Sequence, residues 1–509
     1  MAEAPVTSSE SERSASQGAQ PAIRRTRPGG TPISWFIGGL LLLYFFKQLL
    51  FVIAFQPFSG HDEVAHYSYI ELLATEGRIP VLPDLEEWQA AAQDRDDTSF
   101  DQLPSTLYQF CRYTVSWHCE PTAWDWARTP PRMVTYLGQL YPTGFQYTAN
   151  HPPLYYALMV PVYRAVQDWS LVAQQYALRL FAIPFGIVTV FLAFRLTREL
   201  FPTDAFMQVT VPTFVAFQPQ VSYEAAMINN DIAAVALFSW VALLIVRGIR
   251  TRFPVRTCLW LGVALGLAVL AKSTSLIGAP VIAVAIIGAV GWKNVRDWVG
   301  RGLCVLVPAI LLVLPWYLFM FRTYGNFDGL SQILQLQEYW NRPAGDFFEL
   351  LLNRDFLIMR FRETWGEFGW RLIPLRPTLL WAIAIPILVS LAGLVWYIIQ
   401  ARRQYPRERA VAEFAQLSSR PLWTSLFVLA LTCAVAYLAV VQFGTQFGLT
   451  QARYFFPVVN AAALLTMLGL RTIIPVAGRR YAQGVVFGAM VMLNVVIFVQ
   501  YVLPQFVSA

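Results

Sequence analysis

The chain has 509 residues, of which 56% are hydrophobic and 14% charged, and its mean hydropathy is +0.47. That balance excludes a soluble globular domain. The formal net charge of +7 does not point to nucleic acid, because the basic residues lie in short loops between apolar runs.

Residues 1–32 are rich in Ser, Ala, Pro and Arg and show no periodicity. They read as a disordered tail, basic at Arg24, Arg25 and Arg27 where it meets the membrane. The apolar run that follows begins too late and is too long for a removable signal peptide, and it has no small-residue cleavage site. It is the first of eleven expected spans, over 33–55, 174–196, 206–222, 231–247, 256–271, 274–291, 302–321, 378–399, 421–442, 453–470 and 482–503. The expected fold is an all-α polytopic membrane protein, with a single membrane domain over 33–509 and no soluble second domain.

Loop charge sets the expected orientation. "RLTREL", "RGIRTRFPVR", "WKNVRDWVGR", "QARRQYPRERA" and "RTIIPVAGRRY" carry the Arg and Lys, whereas the short loops near 223–230 and 443–452 carry none. The basic set and the N-terminus therefore read as cytoplasmic, and the C-terminus as external. Two long outer loops follow, 56–173 and 322–377, both rich in aromatics. Within the first, "HPPLYYALMVPVYRAV" (151–166) reads as an interfacial helix with its tyrosines at headgroup level. Cys258, Cys304 and Cys433 fall in apolar runs, while Cys111 and Cys119 share the first long loop, where an oxidising side would allow a disulfide.

"GHDEVAHYSYIEL" (60–72) stands at the outer end of the first span and holds two of the four histidines. Ser59 and Asp62 have the spacing of a capping box, which accounts for one acid but not for His61, Glu63 and His66 as well. On a helix Asp62, His66 and Tyr69 share one face.

An acidic pair after the first span resembles the GT-C superfamily of membrane glycosyltransferases, which includes protein O-mannosyltransferases and bacterial lipid A aminoarabinose transferases related to glycosyltransferase family 39. In order, "NHPPLYYAL" (150–158), "INNDIAA" (228–234), "LAKSTS" (270–275) and "QARYFFP" (451–457) are similar to elements of that superfamily. "ETWGEFGWRLIPL" (363–375) resembles an aromatic element of a sister family. The resemblance covers about 56–457 and leaves the tail outside.

It implies a GT-C type helical bundle and an inverting transferase. Such an enzyme moves a hexose or pentose from a polyprenyl-phosphate donor to a hydroxyl on a glycan, lipid or protein, at the outer face of a plasma membrane. Carried over to this chain, Asp62 is the catalytic base with Glu63 beside it. A phosphate leaving group calls for cations, and Lys272 and Arg453 are the candidates. Snorkelling would also explain Lys272, and pairing with an acid such as Asp231 would explain Arg453. His66, His151, Asp231, Trp365, Glu367 and Trp370 are candidate substrate contacts. Helix-dipole complementarity suffices for Asp231 and for Glu224, a role at a helix start suffices for His151, and an interfacial belt suffices for the tryptophans. No CxxC, HExxH or glycine-rich phosphate loop occurs, so neither metal nor nucleotide is expected, although His61, Asp62 and His66 have the donors to chelate a divalent cation. A transporter or flippase for a lipid-linked solute is the alternative, and an envelope scaffold a third reading. No internal repeat of the transporter kind is found.

Overall fold

The computed structural model describes residues 31–82, 133–136, 139–142, 146–329, 345–404 and 420–507 other than 449, with a few single positions between them. The tail over 1–30, Cys111, Cys119, most of the first long loop and the middle of the second lie outside the described residues, as does the side chain of Trp370.

The first half runs α1 (Thr31–Ala54), α2 (Glu63–Thr75), the strands β1 (Met133–Tyr136) and β2 (Gln139–Pro142), α3 (Leu154–Val166), α4 (Leu171–Leu200), α5 (Ala205–Ala216), α6 (Pro219–Glu224), α7 (Asp231–Thr251), α8 (Val255–Ala271), α9 (Gly278–Val290) and α10 (Val295–Tyr324). The second half runs α11 (Phe347–Leu351), α12 (Arg354–Trp365), α13 (Phe368–Arg371), α14 (Pro377–Gln404), α15 (Arg420–Gly444), α16 (Val459–Ile473), α17 (Arg479–Ile497) and α18 (Leu503–Val507). β1 and β2 pair as a short antiparallel hairpin in the first long loop, while the segments fit to cross a membrane are helical, as expected.

Among the described residues nine helical segments are long and apolar enough to cross a membrane. Two of the eleven expected spans are shorter. The run at 256–271 forms α8, of 17 residues, and the run at 206–222 breaks into α5, of 12 residues, and α6. The break has a local cause. Pro219 restricts the residue before it, so Gln218 turns extended (φ −67°, ψ 116°) and its side chain caps α6 by accepting from the Val221 N–H. Lys47, the single charged residue of α1, then finds two acceptors 2.5 Å away, the Ala216 carbonyl at the broken end and Ser222 Oγ. A buried cation in a span is thereby satisfied by the backbone that a neighbouring break exposes.

The "HPPLYYALMVPVYRAV" segment is helical but does not lay its tyrosines at a surface. Tyr155 and Tyr156 are fully buried and Tyr163 nearly so, because α3 packs along α2. Small residues let other helices approach closely. A Cβ placed on Gly469 of α16 would lie 1.8 Å from the Ser390 carbonyl of α14, and one on Gly393 of α14 would lie 2.2 Å from the Gly469 carbonyl. These two backbones are in contact across the pair of glycines.

Four helix ends converge at one end of the bundle. Here α1 gives way to α2, α7 begins, α8 turns into a short 3₁₀ segment (Ser273–Ile277), and a second 3₁₀ segment (Ala452–Val458) leads into α16.

Candidate active site

The turn from α1 to α2 is shaped by two non-glycine residues in the left-handed region, Phe58 (φ 57°) and Asp62 (φ 54°). Such backbone costs about a kcal/mol or more for a residue with a side chain and concentrates at functional sites. The capping box read from Ser59 and Asp62 is not formed. Asp62 makes no side-chain cap, and Ser59 Oγ donates instead to the Gln56 carbonyl (2.7 Å). The reach-back contact comes from Glu63, whose Oε2 accepts from the Gly60 N–H at 3.0 Å. Freed of the helix end, the Asp62 carboxylate turns toward Arg453, 391 residues away in sequence, and the two form an ion pair.

Arg453 is held between two acids. Its second terminal nitrogen lies 3.4 Å from Asp231 Oδ2, and Asp231 Oδ1 accepts from Lys272 Nζ at 2.5 Å. Asp62, Arg453, Asp231 and Lys272 thus form one chain of alternating charge. Only Asp62, at 15%, keeps appreciable side-chain exposure; Lys272, Arg453 and Asp231 stand at 7%, 6% and 2%. Tyr454 closes it on one side, its ring centroid 4.9 Å from Lys272 Nζ and 5.6 Å from the Arg453 guanidinium. Burial alone would raise the Asp62 carboxyl. The Arg453 guanidinium outweighs it, with help from His61 and His151, and holds Asp62 below its ordinary value.

Glu63 sits in a different environment from its neighbour. Arg179 of α4 grips both of its oxygens, Nε to Oε1 at 2.7 Å and Nη2 to Oε2 at 2.6 Å, with neither side chain exposed. The Ile228 N–H adds a second donor to Oε1 at 3.0 Å, and Arg179 also donates to the carbonyls of Phe55 and Gln56. Every lone-pair direction useful to a substrate is taken. Glu63 thus stands beside Asp62 as an anchor of the turn that carries it.

The two histidines outside that turn's start meet over one phenol. Tyr156 Oη lies 2.9 Å from His66 Nδ1 and 3.2 Å from His151 Nδ1, and Tyr69 stacks on Tyr156 with centroids 3.7 Å apart. One phenol proton serves one acceptor, so the other imidazole presents its own N–H to the phenol oxygen. Burial keeps both rings neutral. It lowers His66, aided by His151, and it lowers His151 to about 3, aided by Lys272. His61 takes a third arrangement, with Nδ1 2.7 Å from Glu224 Oε1, and Asn229 Nδ2 donates to Glu224 Oε2 at 3.2 Å.

The second loop supplies a wall. Glu363 pairs with Arg360 (3.0 Å) and Arg371 and accepts from the Ala452 N–H at 2.9 Å, which ties α12 to the segment carrying Arg453. Glu367 pairs with Arg362 (3.1 Å) and Arg371 (3.4 Å), and its carboxyl is pushed up by burial and by Glu363 against those cations. A cavity of about 10 Å³, room for roughly one water, lies among His61, Gln220, Glu363, Glu367, Arg371 and Arg453. Trp365 is not part of this wall. It is 5% exposed and packs edge-on to Phe214, with centroids 5.6 Å apart, in the core.

Among the described residues no group of three or more metal-ligating side chains is assembled. His61, Asp62 and His66 are divided among Glu224, Arg453 and Tyr156, so the cation-chelating set read from the sequence is not gathered around one point.

The structure therefore brings together Asp62, Lys272, Arg453, Asp231, His66 and His151, sets Glu224 on His61, and adds Arg179, Tyr156, Tyr454 and Glu363. Arg179 carried a legible signal, as the one charge within the apolar run 171–194. Nothing in the spacing of Tyr156 or Glu363 announces its partner.

Comparison with curated proteins gives no match. Among solved structures the chain is similar to ArnT from Cupriavidus metallidurans in the apo state, with 15% identity and a TM-score of 0.47, covering 86% of this chain and 59% of that one. It is similar to ArnT bound to undecaprenyl phosphate, with 14% identity and a TM-score of 0.42, covering 93% and 73%. It is also similar to the oligosaccharyltransferase of Archaeoglobus fulgidus, with 13% identity and a TM-score of 0.43, covering 86% and 50%. The chain thus spans little more than half the length of the first and last of these. A family model described as a predicted membrane protein, DUF2142, matches residues 45–462, and the chain belongs to that family.

Proposed function

We propose that the chain is an inverting glycosyltransferase that takes its sugar from a polyprenyl-phosphate donor and works at the outer face of the membrane. One observation carries the reading: two cations and two carboxylates, drawn from four separate parts of the chain, meet almost buried where spans end. The ordered motifs of the sequence support the same class, and the short loops without Lys or Arg on the side of Asp62 and Asp231 support the sidedness.

In this reading Lys272 and Arg453 hold the donor phosphate. The phosphate competes with Asp62 for Arg453 and leaves the carboxylate buried with less compensation. Burial then raises the basicity of Asp62 as the donor arrives. An acceptor hydroxyl attacks the anomeric carbon from the face opposite the phosphate. The new C–O bond forms, the C–O bond to phosphate breaks, and the hydroxyl proton passes to Asp62. The charge that develops on the departing polyprenyl phosphate falls on the two cations, already oriented by Asp231. His66, His151 and Tyr156, all neutral, offer hydrogen bonds to sugar hydroxyls without adding charge. No metal is required by this scheme.

The test is incubation of purified protein with a panel of polyprenyl-phosphate sugars, following donor loss and release of polyprenyl phosphate. Consumption of at least one donor, reduced in Lys272→Ala, is the expected result. No consumption of any donor with any hydroxyl acceptor class would leave the transporter as the better reading.

A further inference from the structure

The end of the bundle remote from Asp62 holds a cavity of about 310 Å³ between the α4–α5 turn, the start of α15 and the α16–α17 turn. Arg453 and Arg471 stand at opposite ends of one span. Their separation in sequence corresponds to roughly 27 Å at about 1.5 Å per residue, close to the thickness of the hydrocarbon. The cavity is thus on the other side of the membrane from the site described above, whichever side that is.

Its walls are of two kinds. Arg471, Arg479, Arg480 and Gln483 line one part, with Asp204 as the single acid among the described lining residues. Arg471 is 9% exposed and fixed by its ion pair to Asp204, while Arg479 donates to the Ile474 carbonyl at 3.3 Å. The Arg480 guanidinium stacks over the Tyr481 ring at 4.5 Å. Three arginines against one aspartate leave the lining with an excess of two positive charges. α17 begins at Arg479, straight after a 3₁₀ turn (Val476–Gly478) whose Val476 carbonyl accepts the Arg479 N–H, so the positive charge of this wall comes from the arginine side chains. The other part is apolar, formed by Leu200, Phe201, Phe206, Leu422 and Val476.

We propose that this cavity binds the headgroup of an anionic phospholipid from the leaflet on that side. The arginines would take the phosphate, and the apolar wall would take the glycerol and the first methylenes of the acyl chains. A free phosphate uses only the first set of contacts, and the apolar lining argues for the amphiphile. Basic pockets between spans recognise lipid phosphates by this chemistry.

The full-length protein in detergent, titrated with phosphatidylglycerol or with phosphatidylcholine and read by native mass spectrometry, tests the proposal. The expected result is retention of phosphatidylglycerol in preference to phosphatidylcholine, and a loss of at least about tenfold in the double variant Arg479→Gln/Arg480→Gln. Should the double variant melt at a lower temperature than the parent, Arg480→Gln alone, at an exposed side chain, gives the same reading with a smaller loss. Inorganic phosphate added as competitor should leave the lipid signal in place. Equal retention of the two lipids, unchanged binding in the variants, or displacement by inorganic phosphate at matched concentration would each overturn the assignment to a lipid.

Discussion

Asp62 and Glu63 are adjacent in sequence, and both are acids at the end of α1, yet the chain treats them differently. Glu63 enters a fully buried two-pronged pair with Arg179, while Asp62 keeps one partner and some exposure. Removing one member of a buried pair strands the other, at a cost of about 3–5 kcal/mol. Glu63→Gln should therefore lower the melting temperature markedly, and the double change Glu63→Gln/Arg179→Met should recover part of it. A Glu63→Gln protein that melts like the parent would contradict the anchoring role. For Asp62 the sign of the pH effect follows from its depressed pKa. The pair with Arg453 contributes stability that is complete above the unfolded value near 3.9 and is lost as pH falls through the lower folded value. In Arg453→Gln the main cation is gone and burial is opposed only by the smaller effects of His61 and His151, so Asp62 titrates higher. The acid limb of the rate profile, read as donor consumption against pH, should move to higher pH in that variant. An unmoved limb would mean that Asp62 is not the group being titrated.

At the scale of elements, the spans were legible and their interruptions were not. A hydrocarbon surround forces long apolar runs, and those runs are visible without any knowledge of contacts. The division of 206–222 into α5 and α6 follows from Pro219, a signal present in the sequence but masked by the apolar residues around it. The tyrosines of α3 matched an interfacial belt in composition, and their burial depends on α2, which periodicity within α3 cannot reveal. The close crossing of α14 and α16 was likewise hidden, because a glycine in an apolar run does not say which helix it faces. Gly469→Ala places a methyl group against the Ser390 carbonyl, a backbone atom that cannot step aside. Thermal unfolding should show a loss of about 1–3 kcal/mol, with Gly484→Ala, which meets open space, as the neutral control. Equal behaviour of the two variants would refute the backbone contact.

For the whole molecule, the candidate site is a meeting of four stretches that lie far apart in the chain. Asp62, Asp231, Lys272 and Arg453 were each legible as charges at the ends of spans, where an ionisable group needs a reason. Their pairing was not legible, since nothing local links residue 62 to residue 453. The alternation of basic loops with loops that carry no Lys or Arg predicts one side for the whole site. Reporter fusions at Gly60 and after Ala509 should both report an external position, and a cytoplasmic signal at Gly60 would put the acids on the wrong side for the proposed donor.

The central claim is that Asp62 accepts the proton of the incoming hydroxyl. Asp62→Asn preserves size, and asparagine tolerates the left-handed backbone found there. Asp62 forms no helix cap that the change would remove. Donor consumption, measured with matched amounts of parent and Asp62→Asn protein of equal melting temperature, should fall by roughly a hundredfold or more, the usual scale for a general base. Undiminished consumption in the variant would contradict the account.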